Sequence, residues 1–329
     1  LDVFPPDAIR DWATGLGIET FIGTSGRVFP TGMKAAPLLR AWLRQLRANG
    51  LRIHVRHKWT GWAPNGDLLF QTPDGDVRSS AEITVLALGG ASWPALGSDG
   101  SWVSLLQARG VTVHALEPAN CGFDVNWSDH LRLNFAGQPL KGVVMRIDGH
   151  QARGECMVTA YGLEGGPVYA LSAVLRETIK QNGSATISID LTPDIPETDL
   201  VARLARPRGK KSMATHLRRT AGLTGIKSAL LHESSRPGDF ADAGLLASRI
   251  KNLAVTVQRP RPLAEAISTA GGISWDHVTA SLSLKPVAGI YIAGEMLDWE
   301  APTGGYLLSA CLATGRWVGE AIARELQKA

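Results

Sequence analysis

The sequence predicts an α/β fold interrupted by a second unit of different character. Three observations carry that expectation. Up to about residue 110, amphipathic helical stretches alternate with short apolar strands. From about Cys121 to Gly154 the pattern changes to the period of two that a half-buried strand shows. Residues 261–329 then return to strand, glycine turn and long helix.

Taken in order, Asp7 to Leu16 and Lys34 to Ala48 place apolar residues at helical spacing. The second stretch carries Leu38, Leu39, Trp42, Leu43 and Leu46 before a stop at Asn49-Gly50. LRIHVRHKW then reads as a strand, DLLFQT and DVRSS as a hairpin around Pro73-Asp74-Gly75, and ITVLAL as a short, wholly buried strand. A helix from Ser101 to Ala108 closes at Gly110, and a second unit begins near residue 120. Within it, Pro167 to Ile179 and Glu197 to Ala247 are expected to be helical, with a strand at Leu253 to Val257. The C-terminal part reads as a turn at Gly271-Gly272, a buried strand GIYIAG, a glycine turn and a helix from Tyr306 to Gln327.

Composition excludes several classes. The chain has 329 residues, 44% of them hydrophobic, enough for a large core, and no apolar run approaches the roughly 18 residues of a membrane span. Nothing at the N-terminus resembles an export signal. Cys121, Cys156 and Cys311 lie far apart without CxxC spacing, which disfavours a disulfide framework or a zinc site and fits a reducing, cytoplasmic setting. The eight histidines show no ligand spacing, so no metal is assigned. A net charge of +4 suits polyanionic partners without choosing among them. The basic stretch Arg206 to Arg219 lacks interleaved aromatics and reads as a solvated helical face, so neither nucleic acid nor membrane is expected as a partner. There is no G-x-S-x-G elbow, and GKKS at Gly209 to Ser212 lacks the preceding glycine of a phosphate loop. The chain opens at Leu1 and runs at once into PPDAIRDWATGLGIE, so upstream sequence is expected.

Two segments carry chemistry. VLALGGASWPALGSDG, from Val85 to Gly100, puts Gly89 and Gly90 straight after a buried strand, where either a ligand meets bare backbone or the chain makes a tight strand-to-helix turn. GIYIAGEMLDWEAPTGGYLLSACLATGRWVGEAIA, from Gly289 to Ala323, runs through strand, acidic loop, Gly-Gly and helix. Glu295 is the residue type that accepts hydrogen bonds from sugar-alcohol hydroxyls. Either Gly304 and Gly305 let a ligand reach the N-terminus of the following helix, where free N–H groups and the helix dipole favour negative charge, or the helix merely starts with Gly-Gly and Glu295 is an incidental exposed acid.

STAGGISWDHV, LKPVAGIYIAGE and LDWEAPTGGYLLSACLATG, in that order, resemble the C-terminal FAD signature of the bacterial aminoacetone-oxidase-like flavoproteins, a family of NAD(P)/FAD-dependent oxidoreductases that includes bile-acid reductases. GRVFPTGMKA, LALGGASWPALGSDG and MVTAYGLEGGPV are similar to its other signatures, so the likeness spans nearly the whole chain. It implies a Rossmann-like FAD-binding domain of the glutathione-reductase type in residues 1–120 and 261–329, with an inserted β-barrel and helical subdomain in residues 121–260. It also implies that Gly89, Gly90, Gly294, Glu295, Gly304, Gly305, Tyr306 and Leu307 contact FAD. Two departures stand out. The strand and G-x-G-x-x-G turn with which the family begins are not in this sequence, so the FAD domain is expected to be N-terminally incomplete, either because a segment lies upstream or because the chain is a degenerate relative that binds flavin poorly. Ser101 and Trp102 stand where most of the family has Asp-Gly, and Trp93 where Tyr is common, as in a tryptophan-rich subgroup.

Arg27 reads either as a group near the flavin or an anionic substrate, or as a surface charge. TAYGLEGGPV reads either as an anion or substrate site at the start of the helix at Pro167, or as ordinary architecture. The resemblance implies hydride transfer from NAD(P)H through FAD to an unsaturated or carbonyl small molecule, with no side-chain acid or base singled out. The alternative is a non-catalytic binding or scaffold protein that lost the dinucleotide turn.

Overall fold

The computed structural model describes Asp2 and residues 4–327. The chain forms two compact units, Leu1–Glu117 with Ala270–Ala329, and Pro118–Thr269.

The first unit opens with α1 (Pro6–Gly15), which starts on a proline whose missing N–H costs a helix nothing at that position. β1 (Thr20–Ile22) and β2 (Val28–Pro30) pair antiparallel. Leu38, Trp42 and Leu46 of α2 (Ala35–Ala48) form one helical stripe, and Trp42 meets Trp12 edge-on with ring centroids 5.2 Å apart. β3 (Lys58–Trp62), β4 (Leu68–Thr72) and β5 (Gly75–Ser79) make an antiparallel sheet. β6 (Thr84–Leu86), α3 (Trp102–Gln107) and β7 (Val113–Ala119) follow.

The second unit is a closed barrel with associated helices. Its strands and helices, in chain order, are β8 (Phe123–Val125), α4 (Asp129–Phe135), β9 (Gln138–Ile147), β10 (His150–Val158), β11 (Gly162–Glu164), α5 (Gly166–Ala170), α6 (Ser172–Asn182) and β12 (Ala185–Asp190). The helices α7 (Glu197–Leu204), α8 (Met213–Ala221), α9 (Gly225–Ser234) and α10 (Ala243–Lys251) precede β13 (Leu253–Pro260). The barrel closes in the order β10-β11-β8-β13-β12-β9, every pair antiparallel, which leaves no free sheet edge. Alternation explains its filling: Leu253, Val255 and Val257 point inward from β13 while Ala254 and Thr256 face out. Ser128, Ser212 and Asp242 cap α4, α8 and α10 by accepting main-chain N–H groups of their first turns.

The chain then returns through β14 (Ser268–Ile273), which pairs with β7, to β15 (Ile290–Ile292) and α11 (Tyr306–Leu326). β15 pairs in parallel with β6. The architecture is a mixed α/β Rossmann-like unit plus a six-stranded barrel unit.

Several expectations need correction. LRIHVRHKW is not one strand: the ladder starts at Lys58, and Leu51, Ile53 and Val55 stay exposed, because among the described residues no neighbouring strand takes their backbone groups. ITVLAL is strand only over Thr84–Leu86, and Val85 is half-exposed rather than buried. The alternating stretch contains a helix, α4, where the Ser128 cap overrides the local pattern. Gly271-Gly272 lies inside β14 rather than in a turn; a side chain at Gly271 would collide with the Ala115 carbonyl of β7. Arg206, Arg208, Lys210 and Lys211 occupy a loop between α7 and α8, not a helical face.

Candidate functional site in the α/β unit

The parallel pairing of β6 and β15, with Ile292 opposite Leu86, brings the C-terminal ends of two strands side by side. Ligands of open α/β sheets bind at such ends. Each strand leaves through a glycine turn, and side chains from elsewhere hold both turns. The Gly90 N–H donates to Glu295 Oε2 at 3.2 Å, so the acidic loop after β15 grips the glycine turn after β6. The Gly89 carbonyl accepts from the Trp102 indole N–H at 3.0 Å. Leu88 N–H points at Met296 Sδ, 3.2 Å away, and the Gly294 N–H donates to Thr314 Oγ1 at 3.0 Å.

The third part of the site is the N-terminus of α11. Gly305, with φ of +92°, occupies the cap position without a side-chain cap. The first helical bond runs from Ser309 N–H to the Gly305 carbonyl, so the N–H groups of Tyr306, Leu307 and Leu308 have no partner within the helix. A Cβ on Gly305 would meet nothing within 4 Å, which leaves this backbone open to a ligand. Arg27 reaches the same turn: its Nη2 donates to the Thr303 carbonyl at 3.5 Å, and its Nε lies 3.7 Å from where a Cβ on Gly304 would stand. Further along α11, Cys311 packs behind Gly294. Its thiol is pushed up to about 11, mainly by desolvation and then by the Glu295 charge. At 1.5 Å rise per residue, Tyr306 lies about 8 Å along the helix axis from Cys311.

The Gly89-Gly90 and Gly294-Glu295 turns are thus joined by one hydrogen bond, Gly90 to Glu295, while Tyr306 and Leu307 open the helix whose Thr314 holds Gly294, with Gly305 at its cap and Gly304 just before it. Sequence reasoning missed Thr314, the bond from Trp102 to Gly89, and a neighbouring cleft of about 460 Å³ lined by Arg56, His57, Lys58, Trp59, Leu88 and Trp102. Trp59 Nε1 is buried there without a hydrogen-bond partner. Asp99 at the rim is lowered to about 2 by hydrogen bonds from Ser101, aided by Lys58. The sequence offers only a diffuse signal: Thr20 to Gly66 holds eight Lys and Arg and no Asp or Glu, and of these Arg56 and Lys58 line the cleft.

The MVTAYGLEGGPV segment lies in the barrel unit. Tyr161 O–H donates to Glu164, and the Arg261 guanidinium stacks 4.2 Å from the Tyr161 ring centroid. Burial, then Glu164, pushes the phenol up to about 12. The helix beginning with Gly166-Pro167 is only five residues long.

Among the described residues no helix is long and apolar enough to cross a membrane. The chain is 26% identical over 346 residues to the 3-dehydro-bile acid delta(4,6)-reductase of Clostridium scindens, covering 97% of this chain and 83% of that protein. A solved 3-ketosteroid delta1-dehydrogenase from Sterolibacterium denitrificans aligns with a TM-score of 0.45 and 13% identity over 90% of this chain. Mycobacterium smegmatis Sdh1 aligns with a TM-score of 0.41 and 16% identity over 98% of it. The chain spans 64% and 54% of those two solved chains. The model of the HI0933-like protein Rossmann domain matches residues 1–321, and the chain belongs to that family of flavoprotein oxidoreductases.

Proposed function

We propose that the protein is an FAD-dependent oxidoreductase that uses NAD(P)H to reduce an unsaturated or carbonyl small molecule. One observation carries the reading: two glycine turns at the ends of parallel strands are tied together by Gly90 and Glu295 and held by the helix whose uncapped N-terminus Arg27 flanks. That donor set fits a flavin. Gly305 leaves its backbone open, and the amides of Tyr306, Leu307 and Leu308 offer hydrogen bonds where the dipole of a 21-residue helix favours negative charge. When bound, FAD would supply two-electron hydride chemistry, with negative charge growing on its N1/O2 edge.

In this reading the chain's residues bind and orient. Gly89, Gly90, Gly294, Glu295, Gly304, Gly305, Tyr306 and Leu307 form the cofactor contact surface, and Arg27 adds positive charge at the helix end. Glu295 accepts a ribityl or ribose hydroxyl with lone pairs not directed at Gly90. Cys311, protonated at neutral pH, contributes packing rather than nucleophilicity. The C. scindens relative, by its name, reduces carbon–carbon unsaturation in a 3-dehydro bile acid. That supports an unsaturated carbonyl compound as the substrate class here.

The test is the visible absorption spectrum of the purified protein, before and after incubation with FAD, followed by desalting. Retained flavin bands that bleach anaerobically with NADH or NADPH, and recover when an α,β-unsaturated ketone is added, are the expected result. A protein that stays colourless after FAD incubation would sink the reading.

A further inference from the structure

We infer that Thr314 is a positioning residue, one that holds the Gly294 peptide and, through it, the Glu295 carboxylate in place; its effect on flavin rests on the reading above. Thr314 sits in the third turn of α11, and its hydroxyl donates to the Ala310 carbonyl at 2.8 Å, the residue four earlier in the helix. A hydroxyl has one proton. With that proton directed at the helix, the oxygen faces Gly294 as an acceptor only, and the Gly294 N–H meets it at 3.0 Å.

The target peptide is one that needs holding. Gly294 has φ of +75°, in the left-handed region that glycine enters readily. The same helix touches it twice: Thr314 takes its N–H, while Cys311 Sγ stands 3.5 Å from the place a Cβ would occupy. One residue later, Glu295 Oε2 receives the Gly90 N–H. A continuous path therefore runs from α11 through Thr314, Gly294 and Glu295 to the glycine turn after β6.

Threonine inside a helix is a mediocre helix former, and bonding back to the preceding turn slightly loosens that turn. Its outward bond is what the position gains. Removing the acceptor would leave the Gly294 N–H short of a partner. The simplest relief is rotation of the Ala293–Gly294 peptide, which turns Glu295 away from Gly90.

The experiment compares wild type, Thr314→Val and Thr314→Ser by hydrogen exchange across residues 290–297 and by FAD titration. Valine keeps the shape and removes the acceptor, whereas serine keeps the acceptor and removes a methyl. In Thr314→Val, exchange at Gly294 should accelerate and the FAD dissociation constant rise about tenfold, or about 1.4 kcal/mol, with a shifted flavin spectrum. Thr314→Ser should match wild type in all three. Unchanged exchange at Gly294 in Thr314→Val would overturn the inference, as would Thr314→Ser behaving like Thr314→Val. If Thr314→Val does not fold, wild type decides: an unprotected Gly294 amide overturns the inference. If wild type takes up no FAD, the flavin reading falls, while the exchange comparison still judges the clamp.

Discussion

Glu295 links the two glycine turns through a single carboxylate oxygen, so its removal acts on the loop after β6 as well as on its own. Glu295→Ala should lower FAD retention at least about tenfold, because the Gly90 amide loses its acceptor and the ligand loses a hydroxyl partner. Glu295→Gln keeps an acceptor oxygen and should lie between, as equilibrium titration followed by absorbance would show; equal affinity for all three proteins would contradict this role. Cys311 gives a second residue-scale prediction. With its thiol near 11, about a thousandth is thiolate at pH 8, so it should resist alkylating reagents until the protein unfolds. Fast labelling of Cys311 in the native protein, located by peptide mapping, would be inconsistent with that environment. At this scale the sequence was partly legible. Glycines straight after an apolar strand, and Gly-Gly before a long helix, announce where backbone is exposed. Thr314 announces nothing, and Trp102 stands out only as a departure from the family pattern, because their hydrogen-bond partners lie 20 and 13 residues away and no local pattern connects them.

Among the elements, the barrel seam between β8 and β11 depends on close backbone approach. A Cβ on Gly162 would stand 1.9 Å from the Phe123 carbonyl oxygen, a collision with main chain that no rotamer relieves. Gly162→Ala should therefore cost more than about 3 kcal/mol, and chemical denaturation of the variant should show it; a loss below about 1 kcal/mol would mean the seam can open. Beside it, Tyr161 makes the barrel sensitive to alkali. Its folded pKa, about 12, lies above the unfolded value near 10, so the folded state holds a proton more tightly. The stabilisation is complete below about pH 10 and disappears as pH rises through about 12. Spectrophotometric titration should find Tyr161 ionising late and together with loss of tertiary structure, a coupling that Tyr161→Phe removes. Element types followed periodicity where partners were local: α2, the hairpin of β4 and β5, and α11 all fall within a residue or two of their sequence signals. Residues 51–57 did not, since alternation specifies a strand's faces but not whether a neighbouring strand supplies hydrogen bonds.

For the molecule as a whole, the change from helical to alternating period near residue 120 marks a change of core. The barrel unit is built around Phe123, Leu140, Met145, Ile187 and Leu253, all within residues 121–266. The α/β unit has a separate cluster that includes Trp102, Leu106, Ile273, Ile292 and Met296. Among the described residues none belongs to both clusters, and each apolar core is expected to melt as its own cooperative step. Every residue proposed to contact FAD lies in the α/β unit. Ligand linkage then makes an asymmetric prediction: FAD at about a hundred times its dissociation constant adds about 2.7 kcal/mol to the unit that binds it and nothing to the other. Differential scanning calorimetry should resolve two transitions, of which FAD raises one. Gly162→Ala should lower the other, because that clash is confined to the barrel. A single transition moved by both changes would mean that the two cores unfold as one, and the site would then draw its stability from the barrel as well as from its own unit.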